Sequence, residues 1–272
     1  MSTANQRDLS RRPLRPRQFR KHGRPPGART LVVATGDSIT DGRISANFVD
    51  ILAARLGGAG YAFVNSGVSG DLAFNVDQRL QDDVIAFDPD VVTVLVGTND
   101  VAAHISDEWM QGYLKSKKPT QRPSLGWYRE VVGRIVDRLR QSTHARILLI
   151  EIPILGERPD SVENDRVREY NRALHEMAQS RDIEVVPLFQ PLLDGLSPGL
   201  APAFDGTKRL MGRAAVGRFL LHRSFDAIAA RANLTLLTDH IHLSEKAAAI
   251  LATQLETALA SPRRHEIERT VQ

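Results

Sequence analysis

A chain of 272 residues with 42% apolar and 25% charged content is long enough to bury a substantial core, and its length suits one α/β domain with embellishments better than two domains. The absence of cysteine excludes a disulfide framework and any thiolate metal site, and leaves the redox compartment open. The net charge of +4 divides unevenly: residues 1–29 hold nine Lys and Arg against the single acid Asp8, and the rest carries 27 basic and 31 acidic residues, a net of −4. The body of the protein is mildly acidic, which excludes a generally basic, polyanion-binding globule.

Residues 1–29 include Pro13, Pro16, Pro25 and Pro26, have little apolar content and no periodicity, and read as a disordered Pro/Arg-rich tail. The plain reading is a solvated extension; the other is electrostatic contact with nucleic acid or an anionic lipid surface. Arg11-Arg12 is not followed by the apolar stretch an export signal needs, and no run approaches the ~20 apolar residues of a membrane span, so a cytoplasmic location is expected.

From residue 30 to 262 apolar runs alternate with amphipathic segments, the pattern of an α/β three-layer sandwich with a mainly parallel five-stranded sheet. Strands are expected near 31–35, 61–65, 90–96, 146–152 and 183–188, and helices near 44–57, 71–86, 124–141, 163–180 and 244–259. Runs such as Val91-Val92-Thr93-Val94-Leu95-Val96 suit strands covered on both faces. Residues 263–272 form a short C-terminal tail.

Four motifs sit at the ends of these elements. The first strand stops at Gly36 and delivers Ser38 into a turn (Gly-Asp-Ser-Ile-Thr), the second leads into Asn65-Ser-Gly-Val-Ser-Gly-Asp71, the third into Gly97-Thr-Asn-Asp100, and Asp239-His-Ile-His242 lies near the C-terminus. Singly each has a plain explanation: a capping serine, two strand-to-helix turns, and an acid–histidine pair. Jointly they supply what a serine needs to act as a nucleophile, namely a base and oxyanion donors. In an open parallel sheet the ends of the first three strands lie along one edge, so the motifs converge. The spacing of Asp239 and His242 places both on one face of a helical turn, with His240 on another.

In block order as well as letters the chain resembles the SGNH (GDSL-type) hydrolases from about Leu31 to Leu259. The resemblance implies a flavodoxin-like architecture, Ser38 as nucleophile, the Ser38 amide, Gly70 and Asn99 as oxyanion donors, His242 as base and Asp239 as its orienter. It implies a serine esterase acting through an acyl-enzyme, with no cofactor. An acyltransferase using the same acyl-enzyme on a sugar or lipid hydroxyl, and a non-catalytic binding protein on this fold, are the other readings. The eight histidines show no metal-ligand spacing; only His240 and His242 with Asp239 offer a conceivable zinc set.

Two stretches carry no motif. Residues 101–126 contain Trp109, Met110 and Tyr113, which either wall a substrate pocket or cover the sheet edge; Trp127 and Tyr128 read as core. Residues 190–238 pass from a Pro/Gly-rich loop into a helical segment bearing Leu210, Met211, Phe219, Leu220 and Ile228. A lid or a homodimer contact would suit this stretch, and its Arg209, Arg213, Arg218 and Arg223 fit a solvated face or an acidic substrate.

Overall fold

The computed structural model describes residues 12–199, 201–204, 206–207 and 209–261. In chain order the elements are α1 (Pro16–His22), β1 (Thr30–Gly36), α2 (Ser38–Asp41), α3 (Phe48–Leu56), β2 (Tyr61–Gly67), α4 (Ala73–Asp83), β3 (Val91–Leu95), α5 (Thr98–Ile105), α6 (Asp107–Lys117), α7 (Leu125–Ser142), β4 (Arg146–Ile150), α8 (Val162–Gln179), β5 (Glu184–Val186), α9 (Phe189–Asp194), α10 (Arg209–Phe219), α11 (Phe225–Arg231) and α12 (Glu245–Ala260). The five strands form one sheet in the order β2-β1-β3-β4-β5. Every pairing is parallel, so the expected "mainly parallel" sheet is wholly parallel.

The β-branched runs explain the layers. All of β3 is buried, and so are all but the first residues of β1, β2 and β4, so both faces of these strands must be covered. On one side α4 packs on α7 and α7 on α8; on the other α3 packs on α12. Several helices begin where a serine caps their first turn: Ser124 Oγ accepts from Trp127 N–H, Ser161 Oγ from Asn164 N–H and Ser244 Oγ from Ala247 N–H. The strand order reverses direction between β1 and β3. In doubly wound sheets that crevice, at the carboxyl ends of the strands, is where ligands bind.

Residues 12–29 depart from the disordered tail expected of them. Leu14 bridges Val64 along the outer edge of β2, with Leu14 N–H donating to Phe63 O and Asn65 N–H to Leu14 O, both at 2.8 Å. Phe19 in α1 is buried against Phe87, with ring centroids 4.7 Å apart. Arg15, Arg20 and Arg24 pair with Asp41, Asp83 and Asp90 of the acidic body. Composition averages over the segment, but two apolar anchors and three ion pairs suffice to order it, and they cover an edge strand that would otherwise present unpaired backbone groups. The remainder of that tail, residues 1–11, and the C-terminal tail, 263–272, lie outside the described residues.

The first motif-free stretch forms α5 and α6, and the second contributes α9, α10 and α11. Among the described residues no helix is long and apolar enough to cross a membrane.

Candidate active site

Strand β1 runs straight into the turn at Gly36, where no side chain fits: a Cβ would lie 2.2 Å from Leu95 O and 2.4 Å from Thr40 Oγ1. Asp37 caps the following helix, its Oδ1 accepting from Ile39 N–H at 2.9 Å, and Ser38 is the first residue of α2. Ser38 therefore sits at a helix N-terminus at the end of a central strand, beside the reversal point of the sheet.

Asp239 and His242 do not lie on a helical turn as their spacing suggested. They occupy a loop closed by a bridge between Leu237 and Leu243, with Thr238 N–H donating to His242 O. Asp239 Oδ1 accepts from Ile241 N–H at 3.2 Å and His242 N–H at 2.9 Å, an Asx-type turn in which the carboxylate organises its own loop. His240 takes a positive φ of 71°, which turns its ring away from His242 and onto Phe204. The carboxylate still reaches the imidazole: Asp239 Oδ2 lies 2.8 Å from His242 Nδ1. His242 Nε2 lies 2.9 Å from Ser38 Oγ. With Nδ1–H donating to Asp239, Nε2 is the acceptor of the serine O–H, the tautomer a general base requires.

All three groups are buried, which sets their electrostatics. Burial alone would lower the pKa of His242, but the Asp239 charge and hydrogen bond outweigh it and raise it above the usual imidazole value. Burial likewise pushes Asp239 up, and the His242 charge with three hydrogen bonds brings it below the ordinary carboxylate value. Asp37 has no such compensation. Burial pushes its carboxyl up to about 7 despite the Ile39 N–H and the nearby His242.

Asn99 lies in the first turn of α5, at the end of β3. Its Oδ1 accepts the Tyr113 hydroxyl at 2.6 Å and its Nδ2 donates to Asp71 O at 2.8 Å. Burial holds the Tyr113 pKa well above its ordinary value, so the phenol keeps its proton and stays a donor. That donor fixes which end of the amide is which, and the second Nδ2 hydrogen is left for another acceptor. Gly70 has φ +79°, a left-handed conformation that orients the amides of the turn after β2.

This turn is clamped by cations that the motif reading passed over. Lys117 Nζ donates to Ser69 O at 2.7 Å and to Asp71 Oδ1 at 2.9 Å. Arg79 Nε donates to Asp71 Oδ2 at 2.8 Å, while its other nitrogens reach Ser66 Oγ and Gly36 O. The loop with the acid and histidine has its own anchor in Glu157, whose buried carboxylate accepts from the backbone N–H of Thr235, Leu236 and Leu237. Asp71 carried a signal, since it closes a motif at a strand end. Arg79, Lys117 and Glu157 carried none.

Of Trp109, Met110 and Tyr113, read either as a pocket wall or as cover for the sheet edge, Tyr113 reaches the candidate site, through its hydrogen bond to Asn99. Trp109 and Met110 are buried in the core, the Trp109 indole donating to Gly206 O at 2.7 Å. Their helix α6 packs against α5. Trp127 and Tyr128 are buried core residues. Among the described residues no three His, Cys, Asp or Glu side chains gather as a metal ligand set.

Residues 34–250 match the family described as GDSL-like lipase/acylhydrolase. An acetylxylan esterase of Geobacillus stearothermophilus is 25% identical, over 73% of this chain and 93% of its own length. The crystal structure of the acetylxylan esterase Axe2 from that organism superposes with a TM-score of 0.62 at 18% identity, covering 87% of this chain and 96% of Axe2. LAE5, an alpha/beta hydrolase enzyme from the metagenome of Lake Arreo, gives 0.59 at 20% identity, over 85% and 95% of the two chains.

Proposed function

We propose, for a chain that belongs to the GDSL-like lipase/acylhydrolase family and is thus a carboxylic ester hydrolase, that it removes short acyl groups, acetyl foremost, from hydroxyls of a carbohydrate, with Ser38 as nucleophile. The observation that carries this reading is the unbroken hydrogen-bond chain from Asp239 through His242 to Ser38 Oγ. The short acyl group is favoured by burial, since Ser38, Asn99 and His242 are each no more than 5% exposed. The carbohydrate is favoured by likeness to the acetylxylan esterase.

The steps follow from these positions. Ser38 Oγ attacks the carbonyl carbon as its proton passes to His242 Nε2, and Asp239 stabilises the resulting imidazolium. The oxyanion is received by the Ser38 and Gly70 amides and the second Nδ2 hydrogen of Asn99. Collapse expels the alcohol, which takes the proton from His242. Water then attacks the acyl ester on Ser38 with the same base, releasing the carboxylic acid and the free serine.

The test is mass spectrometry after exposure to a fluorophosphonate, beside release of acetate from acetylated xylo-oligosaccharides and hydrolysis of nitrophenyl esters of rising chain length. Labelling at Ser38 with turnover that falls beyond short acyl groups is expected. Labelling elsewhere, or activity undiminished in Ser38→Ala, would overturn the assignment.

A further inference from the structure

Helices α10 and α11 form a patch that the catalytic machinery does not use. Six large apolar residues are exposed among the described residues, and four of them, Val216, Phe219, Leu220 and Leu221, fall within six positions at the end of α10. They do not hang on a loose loop. Leu220 N–H and Leu221 N–H both donate to Val216 O, Arg223 N–H donates to Gly217 O, and the Arg218 guanidinium lies 4.7 Å from the centre of the Phe225 ring while bonding Arg223 O. The apolar tip is thus held outward by a closed network.

Cations surround it. The sequence of α10 contains three arginines and no acid, and Arg209 and Arg213 stand four residues apart, a like-charge spacing that costs helix stability unless an anion lies between them. A cavity of about 750 Å³ beneath the tip is lined by Arg209, Arg213, Arg223 and Arg231 over an apolar floor that includes Ala214 and Ile228. None of these four guanidinium groups forms an ion pair with a carboxylate among the described residues, although arginines elsewhere in the chain commonly do.

We propose that this face docks on an anionic phospholipid surface, with Phe219, Leu220 and Leu221 entering the headgroup–acyl boundary and a phosphate headgroup seated among the four arginines. Charge complementarity selects this occupant. Exposed apolar side chains ringed by unpaired arginines match an interface that is apolar within and anionic at its rim. A second copy of the chain, related by a two-fold axis, would bring the same arginines face to face.

The experiment is flotation of the full chain with vesicles of phosphatidylcholine alone or with added phosphatidylglycerol, at low and high salt. Two double variants are compared, Phe219→Ser/Leu220→Ser and Arg209→Gln/Arg213→Gln. Circular dichroism melting and light scattering report folding and oligomeric state without relying on esterase activity. The wild type is expected to float with the anionic vesicles at low salt and not with neutral ones. Each double variant is expected to lose on the order of tenfold in partitioning at an unchanged melting temperature. Absence of flotation with anionic vesicles would overturn the proposal. So would flotation indifferent to both variants, which would move binding to residues 1–29, or a wild-type oligomer that the Phe219→Ser/Leu220→Ser variant dissociates without changing flotation.

Discussion

The edge of the sheet that carries Ser38 and the insertion that carries α10 and α11 obey opposite rules. At the sheet edge the polar side chains around Ser38 are buried, and several answer one another: Asp239 and His242, Asn99 with Tyr113 and Asp71, and Asp71 with Arg79 and Lys117. In the insertion Arg209, Arg213 and Arg231 are exposed, and apolar side chains point outward. Groups that must act on a reacting bond have to be held still in a low dielectric, whereas groups that meet a partner have to stay accessible until it arrives.

That contrast predicts a steep gradient of mutational effects. Ser38→Ala and His242→Ala should each reduce kcat on the order of 10⁴-fold or more, because the nucleophile and its base act as a unit; steady-state hydrolysis of nitrophenyl acetate measures this. Asn99→Ala should cost about 10²–10³-fold in kcat with little change in KM, as expected for a donor used only in the transition state. An equal loss in Asn99→Ala of kcat and of substrate affinity would show that the amide binds the ground state instead.

Glu157→Ala tests the supports rather than the chemistry. Three backbone N–H groups would lose their acceptor, and the variant should be less stable by about 3 kcal/mol in urea denaturation. A loss under half that size would mean that water replaces the carboxylate.

The pH dependence follows from the buried charges. As the proposed base, His242 acts only when unprotonated, and its pKa is raised above the ordinary imidazole value, so kcat/KM should fall as pH drops through that raised pKa. Asp37, whose carboxyl burial pushes up to about 7, holds the His242 pKa up through its negative charge, so Asp37→Asn should move the acid limb to lower pH. A limb that moves upward would refute this coupling. At the bottom of the gradient, Phe219→Ser/Leu220→Ser should leave hydrolysis of a soluble nitrophenyl ester unchanged. A drop of more than about tenfold there, beyond what surface substitutions produce, would tie the insertion to the active site and erase the contrast.

Much of the sheet edge was legible beforehand because its signals are local. Apolar runs of strand length, a glycine that ends the first of them, and a serine one residue past the capping Asp37 are constraints between near neighbours, readable in a window of a few residues. The conformation of the Asp239–His242 loop was not legible, since a three-residue spacing serves a helical turn and an Asx turn equally, and only the Leu237–Leu243 bridge distinguishes them. The order in residues 12–29 was missed for a related reason. Composition reports what a segment is made of, and not that Leu14 and Phe19 find an uncovered strand edge and Phe87.

The sequence by itself determined the strand-and-helix alternation, the motif at each strand end and the acidic balance of the body, because period, turn chemistry and charge are properties of neighbouring residues. Only the tertiary structure decided which distant groups meet. Lys117 and Asp71 are 46 positions apart and Glu157 and Leu236 are 79, separations over which chain chemistry carries no register. Those contacts exist because a doubly wound sheet gathers the ends of its strands and the loops beyond them along a single edge, where the buried charges have to find each other.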